Sequence, residues 1–199
     1  TTKDNARHWG AAEFLSADAE ADSHVRKILR TRARYEVQNN SYARGIVSTI
    51  ANDTVGTGPR LQMLTDSDDV NRRIEHDFTV WAKRVHLPAK LRTVRMARCQ
   101  DGEAFVIMAQ NPNLKSGVRL DLQLIEADRV TDDQLTVDAT SVDGITFDPF
   151  GNPKSYKVLK QHPGGTAAFD LDFKTVRAED MIHVFRQDRP EQHRGIPEI

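Results

Sequence analysis

Apolar residues in the front half of the chain recur at helical spacing, and the clearest run starts at Val70. Val70, Ile74, Phe78, Trp81 and Val85 follow one another at intervals of four, four, three and four residues. This spacing places all five side chains on one face of an α-helix, because 3.6 residues complete one turn. The residues between them are mostly polar or charged, so the pattern predicts an amphipathic helix.

A shorter helix is predicted earlier in the chain, because both of its ends carry capping residues. Asn40-Ser41 is a good N-cap, since short polar side chains accept hydrogen bonds from the first free backbone N–H groups. Gly56 is a good C-terminal stop, because glycine adopts the backbone conformations that often end a helix. These signals predict a helix from Tyr42 to about Val55. Its apolar face is predicted to consist of Ile46 and Ile50, with Val47 beside them.

The first predicted helix carries the densest positive charge in the chain. One of its faces is marked by Val25, Ile28, Leu29 and Arg32. No acidic residue lies between Ser23 and Tyr35, and the basic residues there are Arg26, Lys27, Arg30, Arg32 and Arg34. We interpret this segment as a solvated helix face or a contact to another subunit. Contact with the phosphate groups of a nucleic acid is the alternative.

Two proline-containing segments separate the remaining elements of the front half. Gly58-Pro59 is predicted to turn the chain into a short strand over Leu61–Leu64. Leu87-Pro88 ends the amphipathic helix, because proline cannot continue its hydrogen-bonding pattern. Helical spacing then resumes at Leu91, Val94 and Arg98 and predicts another helix.

The back half alternates apolar and polar residues at strand spacing instead. Leu120, Leu122 and Leu124 alternate with Asp121 and Gln123, which is the pattern of a half-buried strand. Other strands are predicted over residues 104–108, 145–147, 156–158, 169–173 and 181–185, and a turn over residues 148–153 makes one pair a hairpin. Helices (about residues 24–98) therefore precede strands (about residues 100–199), which predicts an α+β fold. We expect one wing-like unit over residues 1–199, with the N-terminal helices packed on a mostly antiparallel sheet.

The charge and composition of the chain exclude several classes of protein. The 199 residues include 28 Lys and Arg against 29 Asp and Glu, a net charge of −1. Residues 1–100 carry +5 (17 basic, 12 acidic) and residues 101–199 carry −6 (11 basic, 17 acidic). A neutral total argues against a dedicated nucleic-acid binder, which usually has a strongly basic domain. The single cysteine, Cys99, excludes an internal disulfide framework, and no apolar run is long enough to span a membrane. Because the sequence starts without methionine, we expect it to be a piece of a longer protein.

Few residue patterns in the chain suggest catalysis. Gly56-Thr57-Gly58 follows a helix rather than a strand, so it lacks the context of a nucleotide-binding loop. Glu126 and Asp128 are the nearest candidates for a nuclease, but Asp128 stands where such a site would need a lysine. His183 lies inside an apolar strand and is expected to be a hydrogen-bonded core histidine. We therefore predict no catalytic, cofactor-binding or metal-binding residues.

An ordered set of short motifs runs from about residue 30 to the end of the chain. Their positions are Tyr42, Ala43, Arg44, Gly45, Gly56, Gly58, Trp81, Gly102, Glu103, Glu126, Asp128, Asp148, Gly151, His183, Arg189, Pro190, Gln192, Arg194 and Gly195. Taken together, these motifs resemble the N-terminal, wing portion of the lambda-type bacteriophage portal proteins. Two positions depart from that pattern, because Glu191 stands where the family usually has glycine and Asn152 where arginine is common.

The resemblance implies a structural subunit of a portal ring, a dodecamer at one capsid vertex through which double-stranded DNA is packaged and ejected. It implies terminase, capsid and head–tail adaptor proteins as partners, weak and non-specific contact with DNA, and no cofactor. It also implies a location in the virion, with assembly in the bacterial host cytoplasm, and it leaves this piece free to be a monomer on its own. A metal-dependent nuclease or another head-operon enzyme, and a DNA-binding adaptor, are the alternatives.

The motif-rich segment Arg189–Gly195 supports two interpretations within this resemblance. It is either a subunit contact or hinge, or a tight loop fixed by arginine hydrogen bonds to backbone carbonyls.

Overall fold

The fold is α+β, as the order of helical and strand patterns predicts. The structure is a computed structural model that describes residue 2 and residues 5–10, 12–132, 140–165 and 172–199. Its helices are α1 (Ala17–Glu20), α2 (Ser23–Asn39), α3 (Ser41–Val55), α4 (Asp68–Arg84) and α5 (Leu87–Asp101). Within these described ranges, no helix is long and apolar enough to cross a lipid bilayer.

Asn40 divides α2 from α3 and confirms the predicted capping signal. Its side-chain oxygen accepts hydrogen bonds from the backbone N–H groups of Tyr42 and Ala43, at 3.0 and 3.4 Å. At the other end, Gly56 takes a φ of 53°, a conformation that favours glycine, and its N–H closes the last turn on Asn52. The predicted helix from Tyr42 to about Val55 is therefore correct.

The strands form two antiparallel sheets, whereas a single sheet was expected. The first sheet has the order β2 (Leu120–Ile125), β1 (Glu103–Gln110), β7 (Met181–Phe185). The second has the order β3 (Ser141–Val142), β4 (Ile145–Phe147), β5 (Pro153–Leu159), β6 (Phe173–Arg177). Short 3₁₀ turns, Ala127–Arg129 and Ala178–Asp180, lie between strands of the two sheets. The strand predicted over residues 169–173 lies largely outside the described residues, and β6 begins at Phe173.

One hydrophobic core joins the two sheets. Phe105 lies at its centre with no exposed surface, on β1, where it is paired in register with Ile125 on one side and His183 on the other. The other buried members are Ile107, Ile125, Ala127, Val130, Ile145, Tyr156, Val158, Val176 and Met181. Because these residues come from both sheets, neither sheet buries its apolar face without the other.

The helix α2 buries a different face from the one predicted, and α3 departs from the prediction at Ile46. In α2 the buried residues are Arg26, Arg30, Ala33 and Val37, whereas Ile28 and Arg32 are exposed. In α3 the buried residues are Ala43, Val47 and Ala51, whereas Ile46 is 54% exposed. Small side chains let α3 pack closely on α5 and α2, and Ile46 faces outward while Ile50 stays half-buried against them. The predicted face was therefore wrong for α2, whereas for α3 Val47 is buried and Ile50 packs on the same cluster, so that only Ile46 contradicts the prediction.

The segment between α3 and α4 is not a strand, contrary to the prediction for Leu61–Leu64. It is irregular chain that lies beside α4, where the N–H of Met63 donates to the Glu75 carboxylate at 2.8 Å. The amphipathic helix predicted from Val70 is confirmed as α4, although none of its residues is fully buried. It is tied to the first sheet by Trp81, whose Nε1–H donates to the carbonyl of Leu120 at 2.7 Å.

Candidate functional site: a buried arginine–carboxylate network

Three arginines one helical turn apart on α2 face the sheets. Arg26 is 2% exposed and Arg30 is 5% exposed, while Arg34 is half-buried. The expectation of a solvated helix face is therefore wrong for Arg26 and Arg30, because each is held in ion pairs inside the chain. Of the five basic residues in this segment, only Lys27 and Arg32 are exposed.

Glu103, the first residue of β1, is the acidic centre of the network and has no exposed surface. Arg30 donates to its Oε1. The N–H of Gly195 and Nε2 of His183 both reach its Oε2, at 3.0 and 2.9 Å. A fourth donor, Arg194, binds both carboxylate oxygens through Nε at 3.0 Å and Oε1 through Nη2 at 2.7 Å. The carboxylate is therefore saturated with donors and has no lone pair facing solvent.

Arg194 connects Glu103 to parts of both sheets. Besides the carboxylate, its guanidinium donates to the backbone carbonyls of Val130 at 3.1 Å, Ala127 at 3.3 Å and Asp143. Its central carbon lies 5.3 Å from the ring centroid of Phe105, which is close enough for a cation–π contact. One side chain thus fixes β1, the first 3₁₀ turn and the turn between β3 and β4.

The remaining acids attach α2 to the end of α5 and to the first 3₁₀ turn. Arg34 donates to the carboxylates of Asp101 at 2.7 Å and Asp128 at 2.6 Å. Arg30 donates through Nε to the carbonyl of Asp101 at 3.1 Å and lies 3.5 Å from Asp128. Arg26 pairs with Asp143 and donates to the carbonyl of Ala21. Arg30 and Arg34 therefore share Asp101 and Asp128, whereas Arg26 holds the turn between β3 and β4.

The network is electrically balanced, which makes its burial tolerable. Its charged members are Arg26, Arg30, Arg34, Arg194, Asp101, Glu103, Asp128 and Asp143. A buried charge is costly unless a partner of opposite sign and well-directed hydrogen bonds compensate for lost hydration. Four cations and four anions supply the opposite charges within one connected set, although Nε of Arg26 is buried with no hydrogen-bond partner among the described residues.

The pKa values follow from these contacts. Burial acts to raise the pKa of Glu103, but the charge of Arg194 and the hydrogen bonds from His183 and Arg194 hold it well below its ordinary value. Burial lowers the pKa of His183, against the opposing pull of Glu103. At neutral pH we therefore expect a charged Glu103 and a neutral His183 that donates from Nε2. His183 is a hydrogen-bonded core histidine, as the sequence predicts.

Two glycines let the C-terminal segment reach this network. Gly102 has a φ of 87°, and a β-carbon there would overlap the backbone of Ile196. A β-carbon on Gly195 would overlap the carbonyl of Gly102. Only a residue without a side chain fits at either point, so the Gly195 N–H can approach Glu103. Close packing of the backbone therefore explains why both of these motif positions are glycine.

The Arg189–Gly195 segment is a tight loop, one of the two interpretations made from the sequence. Gln192 is buried at its centre, where its side-chain oxygen accepts from the N–H groups of Asp188 and Arg189, at 2.8 and 3.2 Å. Its amide nitrogen donates to the carbonyl of Arg194 at 2.8 Å. Glu191 has a φ of 60°, the left-handed region that favours glycine. The backbone therefore keeps a glycine-like turn at the position where the resembled family usually has glycine.

The second departure from the motif pattern lies in the hairpin turn between β4 and β5. The carboxylate of Asp148 accepts from the N–H of Phe150 at 2.9 Å and from the N–H and side-chain amide of Asn152 at 2.8 and 3.0 Å. Gly151 takes a φ of 82° within the same turn. Asn152 therefore fits the turn through direct hydrogen bonds to Asp148.

Several motif residues lie away from the network. Tyr42 is 84% exposed on α3, where Arg44 and Gly45 are also exposed, and Ala43 is buried beneath them. A β-carbon on Gly45 would meet nothing within 4 Å. Gly58 packs on Pro88, and Trp81 lies on α4. Arg189 and Pro190 are exposed.

Glu126 and Asp128, the residues considered for a nuclease, have different surroundings, although both lie near His162. Asp128 points at Arg30 and Arg34, and the Glu126 side chain is 62% exposed. His162 Nε2 lies 3.4 Å from Glu126 and 3.6 Å from Asp128. In the described part of the chain, no group of three or more His, Cys, Asp or Glu side chains is arranged to hold a metal ion.

Asp101 and Asp143 are members of the network that sequence reasoning missed. Asp101 is the last residue of α5 and Asp143 lies in the turn between β3 and β4, two places where an aspartate is ordinarily explained by local backbone hydrogen bonding. The available signal was on α2, where Arg26, Arg30 and Arg34 keep the same helical spacing as the apolar Ala33 and Val37. That periodicity indicates a buried face, and buried arginines require acidic partners.

Comparisons with known proteins agree with the motif pattern. Residues 2–199 match a family profile described as phage portal protein, lambda family. A relative named probable portal protein, from Halomonas phage phiHAP-1, is 26% identical over 189 residues. That match covers 84% of this chain but 36% of the relative, so the chain spans about a third of the relative's length.

Proposed function

Since the chain belongs to the lambda family of phage portal proteins, we propose that it forms the front part of the structural subunit of a portal ring. The ring stands at a capsid vertex, and double-stranded DNA passes through it during packaging and ejection. The family match over residues 2–199 carries this proposal. The converging motif residues support it, because Glu103, His183, Arg194 and Gly195 bind one another and hold elements together.

A ring subunit needs a shape that does not deform under load, and the network is suited to that task. Charged groups that are buried and mutually saturated favour one geometry, since any displacement leaves a charge unpaired. The arginines of α2 fix the helical layer to both sheets through such pairs. We propose that the network keeps this unit rigid while DNA moves past it, without a catalytic role.

In this proposal, the exposed residues make the contacts with neighbouring molecules. In a ring, one surface of each subunit meets a different surface of the next. We propose that Lys27 and Arg32 of α2, with Tyr42 and Ile46 of α3, contribute to a subunit contact or to weak, non-specific contact with DNA phosphates. Terminase, capsid and head–tail adaptor proteins are the proposed partners, and the virion vertex and the host cytoplasm during assembly are the proposed locations.

Negative-stain electron microscopy of the natural-length protein tests the ring. Rings with a central channel wide enough for a duplex are the expected result. The charge-reversed pair Lys27→Glu and Arg32→Glu should lower the yield of rings, whereas the matched pair Lys154→Glu and Lys174→Glu, exposed on the second sheet, should not. Equal yields would refute the role of α2 but not the ring.

A dispersed monomer at low and high salt would contradict the ring itself. In that case magnesium-dependent cleavage of DNA becomes the next test, with Glu126→Gln and Asp128→Asn as the first variants. The 199-residue chain alone should bind duplex DNA weakly and without sequence preference. Binding at micromolar concentration or tighter, with a steep salt dependence, would favour a DNA-binding adaptor.

A further inference from the structure

The last residues of the described chain run along α5 in the direction opposite to the helix. Ile196 meets Gly102 at the end of α5, and the N–H of Glu198 donates to the carbonyl of Cys99 at 2.8 Å. The Glu198 carboxylate lies 3.3 Å from Arg95 and 3.4 Å from Arg98. The backbone therefore advances along α5 from its C-terminal end toward its N-terminal end.

An apolar groove of about 520 Å³ lies in the path of this segment. Arg95 and Arg98, which hold Glu198, also form one end of the groove. The groove is also lined by Leu91 and Val94 of α5, by the end of α3 at Val55 with Pro59 after it, and by Val184 of β7. The groove is therefore continuous with the site that the C-terminal segment already occupies.

The dimensions show how soon a continuing chain would reach this groove. From the level of Cys99 to that of Leu91 is eight residues of helix, about 12 Å at the helical rise. An extended chain covers that distance in about four residues. The first few residues after Ile199 would therefore lie over Val94 and Leu91.

We propose that this groove is the docking site for the segment that follows Ile199 in the longer protein, bound in extended conformation with apolar side chains against Leu91 and Val94. The proposal rests on the proposed function only in that this chain is the front part of a longer subunit. The relative, of which the chain covers 36%, is long enough for such a segment. Bound there, the segment would join the end of the first unit to the helical layer rather than leave as a free linker.

Disulfide formation in the natural-length protein tests the proposal. Val94→Cys is combined in turn with a cysteine at each of the second to sixth residues after Ile199. Under mild oxidation, a disulfide within one chain is expected for at least one pair and is detected by mobility on non-reducing gels. Val118→Cys, half-exposed on a loop outside the groove, is the matched control and should form none.

Each other result overturns the proposal. Disulfides between chains would show that a neighbouring copy fills the groove, and no disulfide at any position would show that the segment leaves α5. A second measurement covers pairs that fail to fold. The single variant Val94→Cys should react with a maleimide at least about tenfold more slowly in the natural-length protein than in the 199-residue chain, because the docked segment must open first. Equal rates would contradict docking.

The outcome is separable from that of the ring. An intrachain disulfide in a protein that forms no rings would leave docking intact and refute the ring. Rings without an intrachain disulfide would leave the ring intact and refute docking. Cys99, which is 2% exposed, serves as the unreactive background in every variant.

Discussion

Replacing Arg194 by methionine removes the guanidinium from the network while keeping a long, unbranched side chain. The change leaves Glu103 fully buried with Arg30 as its remaining cation. It also leaves the carbonyls of Val130 and Ala127 without their guanidinium donor. We expect a large loss of stability because a charge and several polar groups lose partners at once.

The structure sets the size of this loss. Removing one partner of a buried ion pair costs about 3–5 kcal/mol, because the other charge stays buried. Each buried carbonyl left unsatisfied adds about 1 kcal/mol or more. The Ala127 carbonyl adds less, because it still accepts from the N–H of Val130 at 3.2 Å, and Arg30 still compensates part of the charge of Glu103. We therefore expect the Arg194→Met free energy of unfolding to fall by about 4 kcal/mol, against a total of about 5–15 kcal/mol for a typical domain.

Urea denaturation followed by far-ultraviolet circular dichroism measures this difference. Arg186→Met is the matched control, because Arg186 lies on the same C-terminal segment but pairs with Asp188 at the surface. That exposed pair is worth less than about 1 kcal/mol. A loss at Arg194 no larger than the loss at Arg186 would refute the buried-network argument.

The pH dependence gives a second check with a definite sign. In the wild type the pKa of Glu103 is held below its ordinary value, so its charged form stabilises the fold above that value. Without Arg194, the burial of Glu103 raises its pKa, and the charged form then destabilises the fold. The penalty of Arg194→Met should therefore be smaller near pH 4 than at pH 7. An equal penalty at both values would show that Glu103 is not the group left unpaired.

Three further changes test other parts of the structure. Gly195→Ala should lower the free energy of unfolding by about 1–3 kcal/mol, because the new β-carbon would overlap the carbonyl of Gly102. Gly45→Ala, in open space on α3, should raise it by about 0.5–1 kcal/mol in the same denaturation assay. Trp81→Phe should lower the free energy of unfolding by about 1 kcal/mol, because the hydrogen bond to the Leu120 carbonyl is lost, and amide hydrogen exchange in α4 should accelerate. Unchanged exchange would show that this hydrogen bond does not hold α4 to the sheet. Asp128→Asn should lower the free energy of unfolding by about 2 kcal/mol at pH 7 and by less at pH 3. Burial acts to raise the pKa of Asp128, but Arg34 and Arg30 hold it below its ordinary value, so the stabilisation by the charged carboxylate is lost as the pH falls. A loss that does not change with pH would refute this argument.

The helix boundaries were predictable because their causes are local. Asn40 caps α3 and Gly56 ends it through hydrogen bonds within a few residues, and the run from Val70 to Val85 is visible as spacing alone. The hairpin at Asp148 is local in the same sense. These elements needed no information from distant parts of the chain.

The buried face of α2 was not predictable from hydropathy, because arginine counts as polar wherever it lies. Arg30 is buried since Glu103 meets it, and Glu103 lies 73 residues further along the chain. The division into two sheets has the same origin, because the pairing of β1 with β7 joins strands that are far apart in sequence. The motif resemblance selected Glu103 and Arg194 as residues but did not show that they bind each other.

The position of Arg194 near the end of the described chain has a consequence for synthesis. Arg30 precedes Glu103 by 73 residues and is therefore synthesised first. Arg194 follows Glu103 by 91 residues, so it can bind Glu103 only after those residues have been synthesised. At about 10 residues per second, translation leaves an interval of about nine seconds. During that interval the acidic centre lacks its main partner, so burying it early is unfavourable. We therefore expect the strand layer to close only after Arg194 has left the ribosome, and changes at Arg194 to reduce the yield of folded protein as well as its stability.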